Sequence, residues 1–399
     1  MPNVISYASI FQAELDKIIL PQLTSARMEL GANRVRYTGG AEVKIPKISM
    51  DGLGDYSRTA GFPTSGAVAL SWETHTFEKD RAQQFAIDRH DVDETNFALT
   101  AGNIMGEFQR TKVVPEIDAY RYSKIFTFAN TGEKTQRYAL AAASIFSQLK
   151  GNIKDVQKVI GETEPLVVYI SYDAANYLDS STEISRQLSL LDLTVGGITT
   201  KVKGIDTIPL IRVPSASFKS AYTFNSGSSA FGFTPTSVAM DINWIICADS
   251  AVIAITKQDT VGVFPPGSQA SFDGWIMNYR RYHTLMTLDN KIDGVFVSYT
   301  GIDAPALTAT VAAGAAAGTK FTATAGTGNT LAYILGTASP AVKYNDLIDS
   351  YSTAVEPYTS GADIAAAVAT NILTMMKVNA AGRVIELLEV TLASNQIHA

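Results

Sequence analysis

The stretch that most constrains this chain is residues 40–88. Two runs with the two-residue period of a β-strand, "AEVKIPKI" (41–48) and "VALSWETHTFEKDRAQQFAI" (68–87), flank the segment "SMDGLGDYSRTAGFPTSG" (49–66). Ala41, Val43 and Ile45 alternate with Glu42 and Lys44, and Val68, Leu70 and Trp72 alternate with Ala69, Ser71 and Glu73. That pattern predicts a hairpin with a long Gly/Ser/Thr/Pro tip. Its return leg is charged, with Glu73, His75, Glu78, Lys79, Asp80 and Arg81, and its tip has few large apolar residues. A lone two-stranded hairpin is marginal in water, so its own domain or a neighbouring molecule must cover it. Fully extended, each leg would reach up to ~80 Å at ~3.3 Å per residue. A compact body of ~300 residues is only about 50 Å across. Such a hairpin fits more easily between molecules than within one.

The same segment has the glycines of a phosphate-binding loop, but not their setting. Gly52-x-Gly54 is followed by Ser57 where a third glycine belongs, and by a strand where a helix should begin. A pyrophosphate would have no helix N-terminus to rest on. A second near-motif, "GAAAGTK" (314–320), is one residue short and carries its lysine after the threonine. That lysine would not lie over the phosphates.

Bulk composition narrows the class. The chain has 399 residues, 46% of them hydrophobic and 18% charged, which predicts a folded protein of two or three domains. A net charge of −6 lacks the basic excess of proteins that grip nucleic-acid phosphates. Cys247 is the sole cysteine, which excludes an intrachain disulfide and an all-cysteine metal site. The N-terminal residues have no signal-peptide pattern, and the most apolar run, "INWIICADSAVIAITK", is interrupted by Asp249 and too short for a bilayer. Synthesis and folding in a cytoplasm, without a membrane, are expected.

Along the chain, residues 5–30 read as an amphipathic helix on Ile10, Leu15, Ile18, Ile19 and Leu23. After the hairpin, Asp91 or Asp93 can cap a helix whose apolar face is Phe97, Ala101, Ile104, Met105 and Phe108. Val113, Ile117 and Tyr120 continue it past Pro115, where a kink is expected. The whole would be roughly 35 residues, ~50 Å long. Beyond it, "RYALAAASIFSQLKGNIKDVQKVI" and "DAANYLDSSTEISRQLSLL" read as helices around a buried strand, "PLVVYIS". Shorter strands follow without regular βαβα alternation, so the class is α+β. Residues 301–399 hold 23 alanines and 13 threonines, and "KFTATA", "LAYILG", "ILTMMKV" and "RVIELLEVTL" predict a separate strand-rich domain. The alanine tract 312–317 is either part of it or a linker.

No catalytic constellation emerges. "DRHDVDE" (88–94) packs four carboxylates and a histidine into seven residues. A metal site there competes with capping and salt bridging at a helix start, which already accounts for acidic residues. "WIMNYRRYH" (275–283) could stack bases beside Arg280 and Arg281, or be a half-buried strand with paired arginines. His75, His90, His283 and His398 are scattered, and neither HExxH nor a G-x-S-x-G elbow occurs. No catalytic, metal-binding or cofactor-binding residues are assigned.

The order of parts resembles the major capsid protein of tailed bacteriophages, the Hong Kong 97-type fold. "HTFEKDRAQQFAIDRHDVDETNFALTAGNIMGEFQRTKVVPEIDAYRYSKI" (75–125) carries the likeness, with a hairpin leg running into a spine helix. "AAASIFSQLKGNIKDVQKVIGETEPLVVYISYDAANYLDSSTEI" (141–184) is similar to the family's helix–strand–helix passage. The likeness covers residues 1–300. It implies an N-terminal arm (1–39), an extended loop (40–88) over an adjacent subunit, a peripheral domain with the spine helix (89–136 and 258–300) and an axial domain (137–257). Residues 301–399 would be an appended domain on the outer capsid face, bracing neighbours or touching the host surface.

The implied function is a non-enzymatic, self-assembling icosahedral shell around a double-stranded DNA genome. The implied partners are further copies, as pentamers and hexamers, with portal and scaffolding proteins. DNA is enclosed without sequence-specific binding, which the negative charge suits. Assembly would occur in the host cytoplasm and the product would be the virion capsid. Lys44, Lys47, Arg58, Trp72, Glu73, His75, Glu78, Lys79, Asp80 and Arg81 are the expected subunit-interface residues, their charges pairing across subunits. An encapsulin-like bacterial compartment is the rival with the same fold. A hydrolase whose site is assembled from "DRHDVDE" and His283, with His90, Asp91 and Asp93 converging on a metal, is the rival from another class.

Overall fold

The computed structural model describes residues 23–29, 42–59, 67–90, 101–181, 188–195, 198–268, 273–351 and 355–398. Most of the helix expected over 5–30 lies outside these residues. Its described end, 23–29, is a turn followed by a single 3-10 turn.

Strands β1 (Glu42–Met50) and β2 (Val68–Thr76) form an antiparallel ribbon in unbroken register, Glu42 opposite Thr76 and Met50 opposite Val68. The hairpin is therefore present, but it ends at Thr76 and not at residue 88. Phe77 is the reason. Its ring is buried with Ile253, Ile255, Met286 and Leu288, which pulls the chain out of the ribbon and into the body. The next strand, β3 (Lys79–Asp88), pairs with a body strand over its whole length.

The long helix runs in three pieces. α1 (Ala101–Phe108) passes into a π-helical turn (Gln109–Val113) and then α2 (Val114–Thr131). Pro115 explains the break: it has no N–H to donate, and its ring crowds the preceding carbonyls, so the turn before it widens. The expected helix start on Asp91 or Asp93 lies outside the described residues.

β4 (Thr135–Arg137) leads to α3 (Ile145–Ile160), which buries Ile145, Phe146, Leu149, Ile153 and Val156 at helical spacing. The helix expected from Arg137 thus begins at Ile145. β5 (Leu166–Ser171) is buried throughout, and the Ser171 hydroxyl caps α4 (Tyr172–Asp179) by accepting from the Ala174 N–H at 3.1 Å. The helix expected to continue through Leu191 ends at Asp179. Leu188–Val195 is instead strand β6, hairpinned with β7 (Ile198–Ile205). The backbone pairs with β7 over its whole length, and that pairing overrides the helical spacing.

β8 (Ile208–Val213) follows, then the short pair β9 (Tyr222–Phe224) and β10 (Phe233–Pro235), then β11 (Ile242–Ala248). β12 (Val252–Phe264) and β13 (Gly274–Thr287) are long, and β14 (Val295–Tyr299) returns to the centre. Two sheets result. A mixed sheet has the order β4-β14-β11-β5-β8-β7-β6, and an antiparallel one has β12-β13-β3. Because β14 joins the first, residues 258–300 contribute strands to both sheets. The main core lies between the large sheet, α2, α3 and α4, and includes Tyr122, Ile125, Leu149, Val168 and Trp244. A second core sets Met105, Val113 and Ile117 against Val261, Met277 and Tyr279.

After Tyr299 the described residues form strands and two short 3-10 turns; the strands are β15 (Ala309–Ala313), β16 (Thr319–Ala323), β17 (Thr330–Gly336), β18 (Val355–Tyr358), β19 (Asp363–Ile364), β20 (Ile372–Val378) and β21 (Val384–Thr391). The sheets β15-β16-β19 and β18-β17-β20-β21 enclose Leu307, Phe321, Leu331, Leu373 and Met375. All four strand-like pieces expected there are strands. The alanine tract is the β15–β16 turn, inside the domain. Among the described residues, no helix is long and apolar enough to cross a membrane.

Candidate interaction surface

The ribbon changes face along its length. Residues opposite one another in an antiparallel pair share a face, and successive residues alternate. At the root, Val43 is buried and Ile45 packs beside it against the Phe77 cluster. Beyond Ile45 the apolar phase moves by one residue. Pro46, Ile48 and Met50 stand opposite Trp72, Leu70 and Val68, all on the face turned away from the root's. These side chains are exposed, Met50 and Val68 by 72% and Trp72 by 59%, and Leu53 at the tip is fully so. The expected polar hairpin is thus corrected: its distal half carries a continuous apolar stripe. The signal was the one-residue phase change at Ile45–Pro46, which a single alternation pattern hides.

The expected interface charges divide into two groups. Six are engaged within their own chain, four of them past Phe77 and two, Glu73 and His75, at the ribbon's root. Glu78 pairs with Lys124 at 2.5 Å and accepts from the Tyr120 hydroxyl at 3.2 Å. The Lys79 ammonium lies 4.1 Å from the Phe224 ring centre, and burial and the neighbouring Arg81 lower its pKa. Asp80 takes a bidentate contact from Arg280, at 2.6 and 2.9 Å. Arg81 pairs with Glu116 at 2.6 Å and donates to the carbonyls of Asn225 and Gly232. These residues sit past Phe77, and their contacts within this chain are with the body. Glu73 lies 2.8 Å from His75 and accepts from the Asp289 N–H, at the ribbon's root. Lys44 and Arg58 are exposed, Lys47 is half-buried, and none of the three has an ionic partner among the described residues.

A second region is polar and closed. The Asp118 carboxylate on α2 accepts from the Thr24 N–H (3.2 Å), the Thr24 hydroxyl (2.6 Å) and the Ser25 N–H (3.1 Å). Burial pushes its pKa up, against these donors. Arg121, with no exposed surface, holds Ser25 and pairs with Glu29, which also lies 3.3 Å from Arg281. Burial acts to raise the Glu29 pKa, but Arg121 and Arg281 outweigh it and hold it below the usual range. Arg281 pairs in turn with Asp259 at 2.6 Å, and Arg27 with Asp249 at 2.7 Å. Leu23 and Ala26 enter one core and Met28 the other.

The residues considered for chemistry are dispersed. His283 stands opposite Lys79 and Gly274 opposite Asp88 on the same strand pair. His283 is therefore ~30 Å along the strand from the "DRHDVDE" segment, at ~3.3 Å per residue. Asp91, Asp93 and Glu94 lie outside the described residues. The His283 ring is buried edge-on to Tyr120, and burial with the nearby Arg281, Arg121 and Lys79 drives its pKa well down. Burial likewise pushes the Cys247 thiol up, away from nucleophile chemistry. Arg280 and Arg281 are both paired, so "WIMNYRRYH" is a half-buried strand and not a stacking platform. The "GAAAGTK" turn does hold an anion, but its own. The N–H groups of Ala315, Ala316 and Ala317 donate to Asp363 at 2.7, 2.6 and 3.2 Å. Gly318 takes φ +55° there, and a side chain at Gly314 would strike the Ala317 carbonyl. Among the described residues no group of His, Cys, Asp and Glu is placed to hold a metal ion.

No family model matches this sequence, and no curated protein matches it. Among solved structures, that of Mycobacterium phage Che8 is similar over 65% of this chain and 84% of its own, at 12% identity and a TM-score of 0.43. The mature capsid of bacteriophage PhiM1 gives 11% identity, 65% and 82% coverage, and 0.45. The head structure of Helicobacter pylori bacteriophage KHP40 gives 11%, 66% and 85%, and 0.45.

Proposed function

We propose that this chain is a shell-forming major capsid protein of a tailed bacteriophage, with a structural and non-enzymatic role. The ribbon's apolar stripe carries the reading. Apolar side chains such as Ile48, Leu70 and Trp72 each gain about 1.5–3 kcal/mol when fully buried. A stripe of them on a projecting two-stranded ribbon is an interaction surface. The root uses the opposite face against its own chain, so the stripe cannot be covered by the ribbon folding onto the surface it already occupies. Its occupant in this reading is the body of an adjacent copy. A contact between unlike surfaces repeats from copy to copy and, where its rotation closes, builds rings.

In this reading residues 1–39 are an arm and 42–76 the extended loop. α1, α2 and the β12-β13-β3 sheet form the peripheral part, the large sheet belongs mainly to the axial part, and 301–399 faces outward. Pentamers and hexamers, a portal, a scaffolding protein and enclosed double-stranded DNA are the partners, with assembly in the host cytoplasm. Lys44, Lys47, Arg58 and Trp72 remain the proposed contact residues.

The test is assembly of the full chain, with co-expressed scaffold, followed by light scattering and negative-stain microscopy. Closed shells or capsomers are expected. The double variant L70S/W72S should stay folded by circular dichroism yet remain dispersed. A wild type that is monomeric in every condition, or a double variant that assembles normally, overturns the reading.

A further inference from the structure

The strand-rich domain over 301–398 is joined to the body by a polar key at the end of the long helix. A helix leaves its last carbonyls without intrahelical partners. At the end of α2, the Arg383 guanidinium donates to the Asn130 carbonyl at 2.9 Å and to the Asn345 carbonyl at 3.0 Å. Arg383 is 4% exposed, although it sits on the β20–β21 turn of the other domain. The side-chain amides of Asn130 and Asn345 bond reciprocally, at 3.2 and 2.8 Å.

Asn345 holds φ +66°, a region that asparagine tolerates better than most residues and that persists only where the surroundings enforce it. One strand further, Arg137 on β4 lies 3.1 Å from the Asp346 carboxylate and donates to the Ala341 carbonyl. Asp346 is itself fixed by the Lys343 N–H and the Tyr351 hydroxyl. Gly301 lets the Arg137 side chain pass, since a Cβ there would lie 2.5 Å from its Cδ. The key thus joins the helix end and the β4 edge to one loop and one turn of the appended domain.

The geometry points to a bracing function for this domain: it holds the C-terminal end of α2 and the β4 edge in place, with Arg383 as the positioning residue. A buried cation at a helix C-terminus also complements the helix dipole. The domain has two cores: one around Phe321, Leu331 and Leu373 lies apart from the key, and one with Val342, Val378 and Val384 borders it. Loss of the key should therefore loosen the body and leave the far core intact. This inference does not depend on the shell reading, because it concerns a contact within one chain.

The test is hydrogen exchange followed by mass spectrometry on the full chain, wild type against Arg383→Met. Peptides covering 126–137 should exchange roughly tenfold faster or more, as loss of a charged, buried hydrogen-bond donor implies. Peptides covering β15 and β16, in the far core, should be unchanged. If Arg383→Met fails to fold, Asn345→Gly keeps the backbone conformation and removes the amide pair with the side chain's contact to Tyr299, and the same peptides should exchange about threefold faster or more. Loosening of β15 and β16 in place of the helix end, or no change at residues 126–137 in either variant, overturns the inference.

Discussion

Two short segments leave the body of this molecule, and they are completed in opposite ways. Residues 23–29 lie in a notch where every charge has a partner and the apolar residues enter two cores. The distal ribbon, 46–50 with 68–72, pairs its backbone but leaves an apolar face open. The first is finished by its own chain. The second, in the reading proposed here, is finished by another copy. The lesson is that a segment's composition does not tell which kind it is: the closed segment is rich in charge and the open one in hydrocarbon.

Breaking the closed segment should have the largest effect on the subunit itself. Arg121→Met takes the buried guanidinium away from Asp118 and leaves Glu29 with Arg281 alone, and a loss of ~3–5 kcal/mol is expected. Urea unfolding of the unassembled chain measures it. Glu29→Gln comes next, at about 2 kcal/mol near neutrality, and its effect should depend on pH. A carboxylate held below its unfolded pKa contributes fully above that ordinary value and loses the contribution as pH falls through the depressed one. The gap between wild type and Glu29→Gln should therefore shrink below about pH 4.5. Asp118 works the other way, because burial raises its pKa and the folded chain takes up its proton first. Urea midpoints for both proteins across the acid range check the sign.

Smaller effects sharpen the contrast. Asp80→Asn breaks an exposed pair with Arg280 and should cost no more than ~1 kcal/mol, with assembly unchanged. L70S/W72S should shift subunit stability least, within ~0.5 kcal/mol, yet remove assembly. A double variant that destabilises the dispersed subunit as Arg121→Met does would erase the distinction between the two segments.

Much of this was legible from local pattern. The buried strand at 166–171, the disturbance at Pro115 and the late strands of the appended domain each follow from spacing and residue type. What escaped was set by partners remote in sequence. Phe77 ends the ribbon because Ile253 and Met286 wait for it, and nothing nearby in the chain announces them. Leu188–Val195 has helical spacing but a partner strand. Asp118 and Arg121 look like the solvated charges of a surface helix until residues 24–29 are laid over them. The ribbon's stripe was readable, but only by following the phase past Pro46 instead of assuming one alternation throughout.

The β15–β16 turn gives this chain a recess shaped for a negatively charged guest, and Asp363 lives in it permanently. A tethered guest competes at a local concentration that free phosphate in solution does not match. With those N–H groups already donating to Asp363, a dissolved anion would have to displace a tethered carboxylate to enter the turn.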